Sequence, residues 1–428
     1  MAHANGAARV GTGPRTADER LTSVFRPYRD ILSRPGALAF SASGVLARLP
    51  MSMAGIGIIL VVEQLYGSYG LAGRVSATYV LTQAVCSPQL ARLVDRHGQD
   101  RVMRPAVMIA SGGLLALVVS AATHAPAILL YVGAVVTGAT IGSFGALVRA
   151  RWSHVLRDPR ELHTAYSLES ALDEFVFIVG PVLATTLAAG VAPTAALIVP
   201  IAGMLVGGYL FLTLRSTQPP PTPRVAGAPR GRSVMRSGGM VVLAVVFIAV
   251  GAIFGATDVS TVAFAEEHER PATAGVVLAI FALGSMISGL LYGARHWFSP
   301  LWRRFAIGAV ALALGASLFV LVTSMPVLAV VMFVAGFAIA PTIINGNALV
   351  QHLVPRARLT EGLTWVGTSL GIGVSAGASL AGVRIDAQGS HGGFLVVVGA
   401  AALAVLAAVA SLRTLRAGTE RLGHVDKP

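Results

Sequence analysis

Four ionisable residues stand inside or at the edge of long apolar runs: Arg48, Glu169, Asp173 and Glu174. In hydrocarbon each such charge costs about 2.5–3.5 kcal/mol on insertion scales, so each needs a partner or a water-filled cavity. Glu169 and Asp173 are four residues apart and share one face of a helix, whereas Glu174 points about 100° away from Asp173. Arg48 lies two residues before Pro50, whose missing N–H leaves a carbonyl free within a helix. These types support one chemistry, an arginine paired with Asp173 or Glu174 and released when the carboxylate takes a proton or an anionic cargo competes for the arginine. A static reading stays open beside it. Glu169 is near enough to the start of its run to be a first-turn acid favoured by the helix dipole, with Arg149 or Arg151 as fixed partners. Gln83, Asp258 and Asn345 are softer candidates for a cavity lining, since a lone polar group also serves to bond one helix to the next.

Other chemistries have no support in the residues. There is no His-Glu-x-x-His pair and no Gly-x-x-x-x-Gly-Lys phosphate loop, and the single cysteine, Cys86, excludes an intrachain disulfide or a thiolate cluster. The sequence therefore predicts no enzyme, no cofactor and no metal. A formal charge of +13 from 32 basic and 19 acidic residues would suggest nucleic acid in a soluble protein. Here almost all the basic residues fall in short segments between apolar runs, which is a topology signal, and no nucleic-acid partner is expected.

The elements that must position these residues follow from composition. Of 428 residues 55% are apolar and only 12% charged, about half the charge a soluble domain uses to hydrate its surface. Twelve apolar segments recur, near 36–62, 73–90, 106–122, 128–148, 167–189, 195–214, 240–263, 274–292, 305–323, 327–350, 362–382 and 392–412. Each is long enough to cross about 30 Å of hydrocarbon as a helix, and none alternates as a barrel strand would. The fold class expected is an all-α integral membrane protein with twelve transmembrane helices in two six-helix bundles.

Residues 1–35 read as a polar tail, 36–214 as the first bundle, 215–239 as a linker rich in proline and arginine, 240–412 as the second bundle and 413–428 as a second tail. Arginines concentrate in the two tails, the linker and the even-numbered connections, so both termini are expected in the cytoplasm, with the chain multi-pass in the cell membrane. Val62-Glu63 before Ala72-Gly73, echoed by Ala265-Glu266 before Ala274-Gly275, suggests that the second half repeats the first. Abundant arginine with one lysine, Lys427, suggests a GC-rich bacterial source.

At the exit of the second segment stands Ala91-Arg-Leu-Val-Asp95-Arg96-His-Gly98-Gln-Asp-Arg101. It resembles the signature of the major facilitator superfamily, with Asp95, Arg96, Gly98 and Arg101 in place and Ala91 where that signature has glycine. The resemblance implies a conformational latch: Gly98 permits the tight turn, and Asp95 and the arginines bind neighbouring helix ends. The corresponding stretch of the second half, Gly289 to Arg295, has the glycines but no aspartate. Gly180-Pro181 in the fifth segment resembles half of the glycine-rich pattern of proton-coupled drug exporters, and Pro50, Gly180 and Pro181 are the expected helix kinks. Membership implies a secondary carrier working by alternating access on a small-molecule substrate, with proton-coupled efflux preferred. Uptake of a sugar or peptide, or a non-transporting receptor of the same fold, are the alternatives, and a monomer in the lipid bilayer is expected.

Overall fold

The computed structural model describes residues 17–221, 233–270, 273–295 and 297–422. The expected tail before residue 17, the centre of the expected linker (222–232) and the chain end from 423 lie outside the described residues. The first half contains α1 (Ala17–Leu32), α2 (Ala37–Tyr66), α3 (Tyr69–His97), α4 (Gln99–Ala122), α5 (Ala127–Thr140), α6 (Phe144–Val155), α7 (Pro159–Gly190) and α8 (Ala195–Thr213). The second contains α9 (Gly238–Glu267), α10 (Ala274–Ala294), α11 (Leu301–Ser317), α12 (Met325–Gly336), α13 (Ile339–Leu353), α14 (Leu359–Gln388), α15 (Ser390–Ala410) and α16 (Leu412–Leu422).

Among the described residues, eleven helices or end-to-end helix pairs are long and apolar enough to cross a membrane. The twelfth pass is α3, 29 residues long. It is diluted by Arg74, Gln83, Gln89, Arg92, Asp95 and Arg96, and it packs between α2, α5 and α14. The chain thus forms two six-helix bundles, with α5–α6 and α12–α13 each counting as one pass. The apolar core divides in the same way. One cluster runs from Tyr28 to Leu212 and borrows Ala340 and Ile344, and the other runs from Val234 to Leu415 and borrows Ala146. Two segments expected as tail are helical, α1 before the first pass and α16 after the last.

The fourth and tenth passes are both broken near their middles. Between α5 and α6 the backbone unwinds at 141–143, with Gly142 at φ 66°, whereas between α12 and α13 only a two-residue turn interrupts the helix at Phe337 and Ala338, whose dihedrals stay right-handed. Non-helical backbone at such depth survives only where protein covers it. It is the left-handed φ that favours glycine at this turn, because the nearest neighbour a Cβ would meet, Met103 Cε, ends a flexible side chain that can shift. Both halves interrupt the corresponding pass, fully in the first and by a two-residue turn in the second.

Close backbone approach sets the helix pairs inside each bundle. Gly251 and Gly255 of α9 face Gly373 and Gly377 of α14, and a Cβ on Gly255 would stand 2.0 Å from the Val374 carbonyl oxygen. Helices with small residues four apart pack this tightly because, within lipid, contact rather than water exclusion drives association. In the first bundle α8 uses Gly203 and Gly207 against Leu46 and Ala47 of α2. The Leu46 carbonyl is the one that Pro50 leaves without its helical N–H, and α2 stays helical through that proline. Likewise α7 continues through Pro181, and Gly180 meets Ser52 of α2 so closely that a Cβ would overlap its hydroxyl. Neither proline breaks its helix; Gly180 serves contact between α2 and α7.

Candidate transport site and the seam between the bundles

The fifth pass begins earlier than its apolar run. Asp158 caps α7 by accepting from the Arg160 N–H, and Pro159 fills the first helical position. Glu169 is therefore ten residues into the helix, fully buried, and the first-turn reading of it is corrected. The same shift puts Glu174 at the midpoint of the 32-residue α7.

Arg48 on α2 reaches α7 and binds two acids there. Its Nη2 donates to Glu169 Oε2 at 2.5 Å, its Nη1 to Asp173 Oδ1 at 2.6 Å, and its Nε to the Gly44 carbonyl at 3.0 Å. Asp173 also accepts from Arg149 Nη2 of α6 at 2.7 Å. The second oxygen of Glu169 accepts from Ser41 Oγ at 2.6 Å and Trp152 Nε1 at 2.8 Å, and the Trp152 ring rests edge-on against Phe40. Two guanidinium groups and two carboxylates thus close a network of zero net charge, which is the arrangement burial demands. Arg48 is 2% exposed and Glu169 0%, while the Asp173 side chain keeps 22%. The break in the fourth pass matters here, because it aims α6 so that Arg149 and Trp152 both meet α7.

Glu174 faces elsewhere. It takes no part in the arginine network, and its one hydrogen bond among the described residues comes from Ser285 Oγ of α10, at 2.8 Å, in the other bundle. Of the softer candidates, Asn345 is buried and bonded both ways with the Tyr292 hydroxyl, a link from α13 to α10. Asp258 is exposed on α9 and Gln83 half-buried on α3, and neither makes a side-chain hydrogen bond among the described residues.

The seam between bundles is held toward the end of the molecule that carries α1 and α16, here the tail end. Asp95 Oδ2 accepts the Glu361 N–H at 3.0 Å, and the Thr360 N–H and hydroxyl also donate to Asp95. A carboxylate of the first bundle therefore caps the N-terminus of α14 in the second, satisfying orphan donors and the helix dipole together. Arg92 Nε pairs with Glu361 Oε1 at 2.8 Å, and the same oxygen accepts the Val234 N–H just ahead of α9. Arg96 and Arg101, expected to share the latch, are exposed and form no ion pair among the described residues. Gly98, at φ 94°, ends α3, and a Cβ there would lie 2.8 Å from Gln218 of the linker.

Further seam contacts follow α7 and α10. Thr164 Oγ1 donates to the Gly293 carbonyl at 2.8 Å, Gly293 lies directly against Ser167, and Gln351 Nε2 donates to Ser153 Oγ at 3.0 Å. Helix α1 lies across the seam on α7 and α10, and its buried Tyr28 donates to the Leu290 carbonyl. Every inter-bundle hydrogen bond and ion pair found among the described residues lies between Glu174 and the tail end. The tail end is closed in this conformation.

Sequence reasoning missed Arg92, Glu361, Ser41, Trp152 and Tyr28. Glu361 carried a signal, being an acid immediately ahead of an apolar run. Ser41 and Trp152 carried none, because an uncharged donor within an apolar run has nothing to mark its partner.

Comparison with known proteins agrees with this architecture. The sequence matches the family model described as Major Facilitator Superfamily over residues 40–294 and 259–427. No curated protein matches the sequence. The fold is similar to the crystal structure of a bacterial homologue of the iron transporter ferroportin in its outward-facing state, with a TM-score of 0.71, 15% identity, and 87% of this chain and 98% of that one covered. It is also similar to the crystal structure of the human organic anion transporter MFSD10, with a TM-score of 0.66, 14% identity, and 91% and 99% covered. Twelve passes in two bundles, a seam bridged by Asp95 and a family match over almost the whole length lead to one statement: this chain is a multi-pass membrane protein that belongs to the Major Facilitator Superfamily of transporters.

Proposed function

We propose that the chain is a proton-coupled carrier that exports a small amphipathic compound across a bacterial cytoplasmic membrane, with both termini and the latched end in the cytoplasm. The observation that carries the coupling is the contrast between Asp173 and Glu174. Asp173 is shared by Arg48 and Arg149, so protonating it would leave a net positive charge inside the protein. Glu174 is half-buried and has only a neutral hydroxyl as partner, so protonating it removes a charge with no counter-ion and costs the network nothing.

The proton also has a mechanical consequence. As a carboxylate, Glu174 accepts a charge-assisted bond from Ser285 across the seam; a bond to a charged group contributes about 1.5–3 kcal/mol against about 0.5–1.5 for a neutral one. Protonation thus loosens the seam by about 1 kcal/mol, and favours the conformation open at the tail end, where cargo is loaded. Release of the proton restores the bond and the closed seam. The basic linker and tails support the orientation, and the likeness at Gly180-Pro181 supports export over uptake.

The test is flux of a panel of amphipathic compounds through purified protein in liposomes, with a proton gradient of either sign. Gradient-driven movement that reverses with the sign of the gradient is expected. Glu174→Gln should retain downhill exchange of cargo and lose acceleration by the gradient. Full coupling in Glu174→Gln would remove Glu174 from the mechanism, and cargo accumulating in the same direction as the proton flow, rather than against it, would establish uptake by symport.

A further inference from the structure

Helix α10 ends at Ala294, so the carbonyls of its last turn lack helical N–H partners and hold the negative end of the helix dipole. The first bundle supplies donors to that turn. Thr164 Oγ1 of α7 donates to the Gly293 carbonyl at 2.8 Å, closer than the Arg160 carbonyl of its own helix at 3.2 Å. One residue earlier, His163 Nε2 donates to the Tyr292 carbonyl at 3.2 Å, an acceptor that Trp297 Nε1 shares at 3.0 Å. Tyr28 of α1 gives its hydroxyl to the Leu290 carbonyl. The backbones meet closely enough to allow this: a Cβ on Gly293 would stand 2.2 Å from Ser167 Cβ and 2.5 Å from the Tyr28 hydroxyl.

This contact has the reverse polarity of the one at Asp95. There an acid near the end of α3 accepts from the N-terminus of α14. Helix α10 is the counterpart of α3 in the second half, but it has no acid between Gly289 and Arg295 and offers its own carbonyls instead. The receiving helices explain the exchange. The N-cap position of α14 is Arg358, whose side chain provides no acceptor, so the first N–H groups of α14 are left for Asp95. The N-terminus of α7 is already capped by Asp158, and Pro159 replaces one of its N–H donors, so an acid reaching it from α10 would find little to bind.

We infer that the last turn of α10, with Thr164, His163 and Tyr28, is a second latch that replaces the missing aspartate and closes the tail end together with the Asp95 cap. Thr164 is its centre, because the Gly293 carbonyl has no other hydrogen bond among the described residues. Opening the tail end separates α7 from α10 and exchanges these bonds for water. The latch rests on the rocking of the two bundles, and neither Glu174 nor cargo takes part in it.

The test is pulsed electron-paramagnetic-resonance distance measurement on the full-length protein in liposomes. Labels go at Arg157 and Arg303, exposed positions on the tail end of either bundle, in a Cys86→Ser background. Thr164→Val keeps the shape and removes the donor, so the ratio of open to closed distances should rise about two- to tenfold, the range for one hydrogen bond. Thr164→Ser should keep the wild-type ratio, and so should Thr186→Val, whose hydroxyl bonds within α7 alone. In Thr164→Val/Asp95→Ala the two fold-changes should multiply, since the latches join different helix pairs. Should Thr164→Val fail to fold, Gly293→Ala reads the same contact, because its Cβ cannot share the closed seam with Ser167 and must raise the open fraction. An unchanged ratio in Thr164→Val or in Gly293→Ala, or an equal rise in Thr164→Ser, would overturn the proposal.

Discussion

Replacing Arg48 with methionine takes one cation from a pocket that holds two carboxylates. Asp173 keeps Arg149 at 2.7 Å, and Glu169 keeps Ser41 and Trp152 as donors, but the network falls from neutral to a net charge of −1. Breaking a buried pair on one side costs about 3–5 kcal/mol, because the remaining charge is stranded; the two neutral donors on Glu169 place the expected loss at the lower end, about 3 kcal/mol. Glu169→Gln alone strands Arg48 in the opposite sense and costs a similar amount. The double variant Arg48→Met/Glu169→Gln leaves Arg149 and Asp173 as a complete pair, so its loss falls short of the sum of the single losses by at least about 2 kcal/mol, a coupling within the range for residues in contact. Unfolding of the four proteins in mixed micelles with increasing sodium dodecyl sulfate measures this cycle. Additive losses, within about 0.5 kcal/mol, would refute the claim that these two side chains form one charge-balanced unit.

Three further outcomes follow from the geometry. Asp95→Ala removes the cap on α14; losing a cap costs about 0.5–2 kcal/mol, so labels reporting the tail end should show the open population rising about two- to thirtyfold, with little change in unfolding midpoint. Gly255→Leu places a side chain where even a Cβ would be 2.0 Å from the Val374 carbonyl, so a loss of about 3 kcal/mol or more is expected in micelle unfolding, whereas Gly275→Leu, with open space around it, should be near neutral. Tyr28→Phe removes the hydroxyl that ties α1 to Leu290; faster hydrogen exchange is expected through residues 25–32, with exchange in α9 and α14 unchanged.

The parts of this molecule legible in the sequence are those that lipid makes expensive. Twelve apolar runs must be helices because nothing else satisfies the backbone in hydrocarbon, and a lone charge there is costly, so Arg48 was expected to pair with Asp173 or Glu174; it pairs with Asp173 and with Glu169 instead of Glu174. What escaped was set by neighbours rather than by solvent. The start of α7 at Pro159 lies in a polar stretch, so the apolar run placed it eight residues late and made Glu169 look like a helix-end acid. The breaks at 141–143 and 337–338 fall within long apolar runs, where Gly142 at the first and Gly336 and Pro341 beside the second are the local hints and the neighbouring helices supply the rest. The amphipathic α1 and α16 were read as tails because their polarity hid helices that lie on the bundles rather than inside them. Asp95 stood out by its motif, whereas its receptor, the backbone N–H groups of Thr360 and Glu361 with the Thr360 hydroxyl, carries no signal that marks it in the sequence.

The central claim is that the two bundles rock about the seam, closing one end as the other opens. Its most direct measurement is pulsed electron-paramagnetic-resonance distances in a Cys86→Ser background, with one label pair at Leu93 and Arg356 on the tail end and another at Gln64 and Glu266 on the opposite end, all exposed positions. Each pair should show two distance populations, and lowering the pH or adding Asp95→Ala should lengthen the tail-end pair while shortening the other. Distances that stay single at both ends under all conditions, or that lengthen together, would contradict the account.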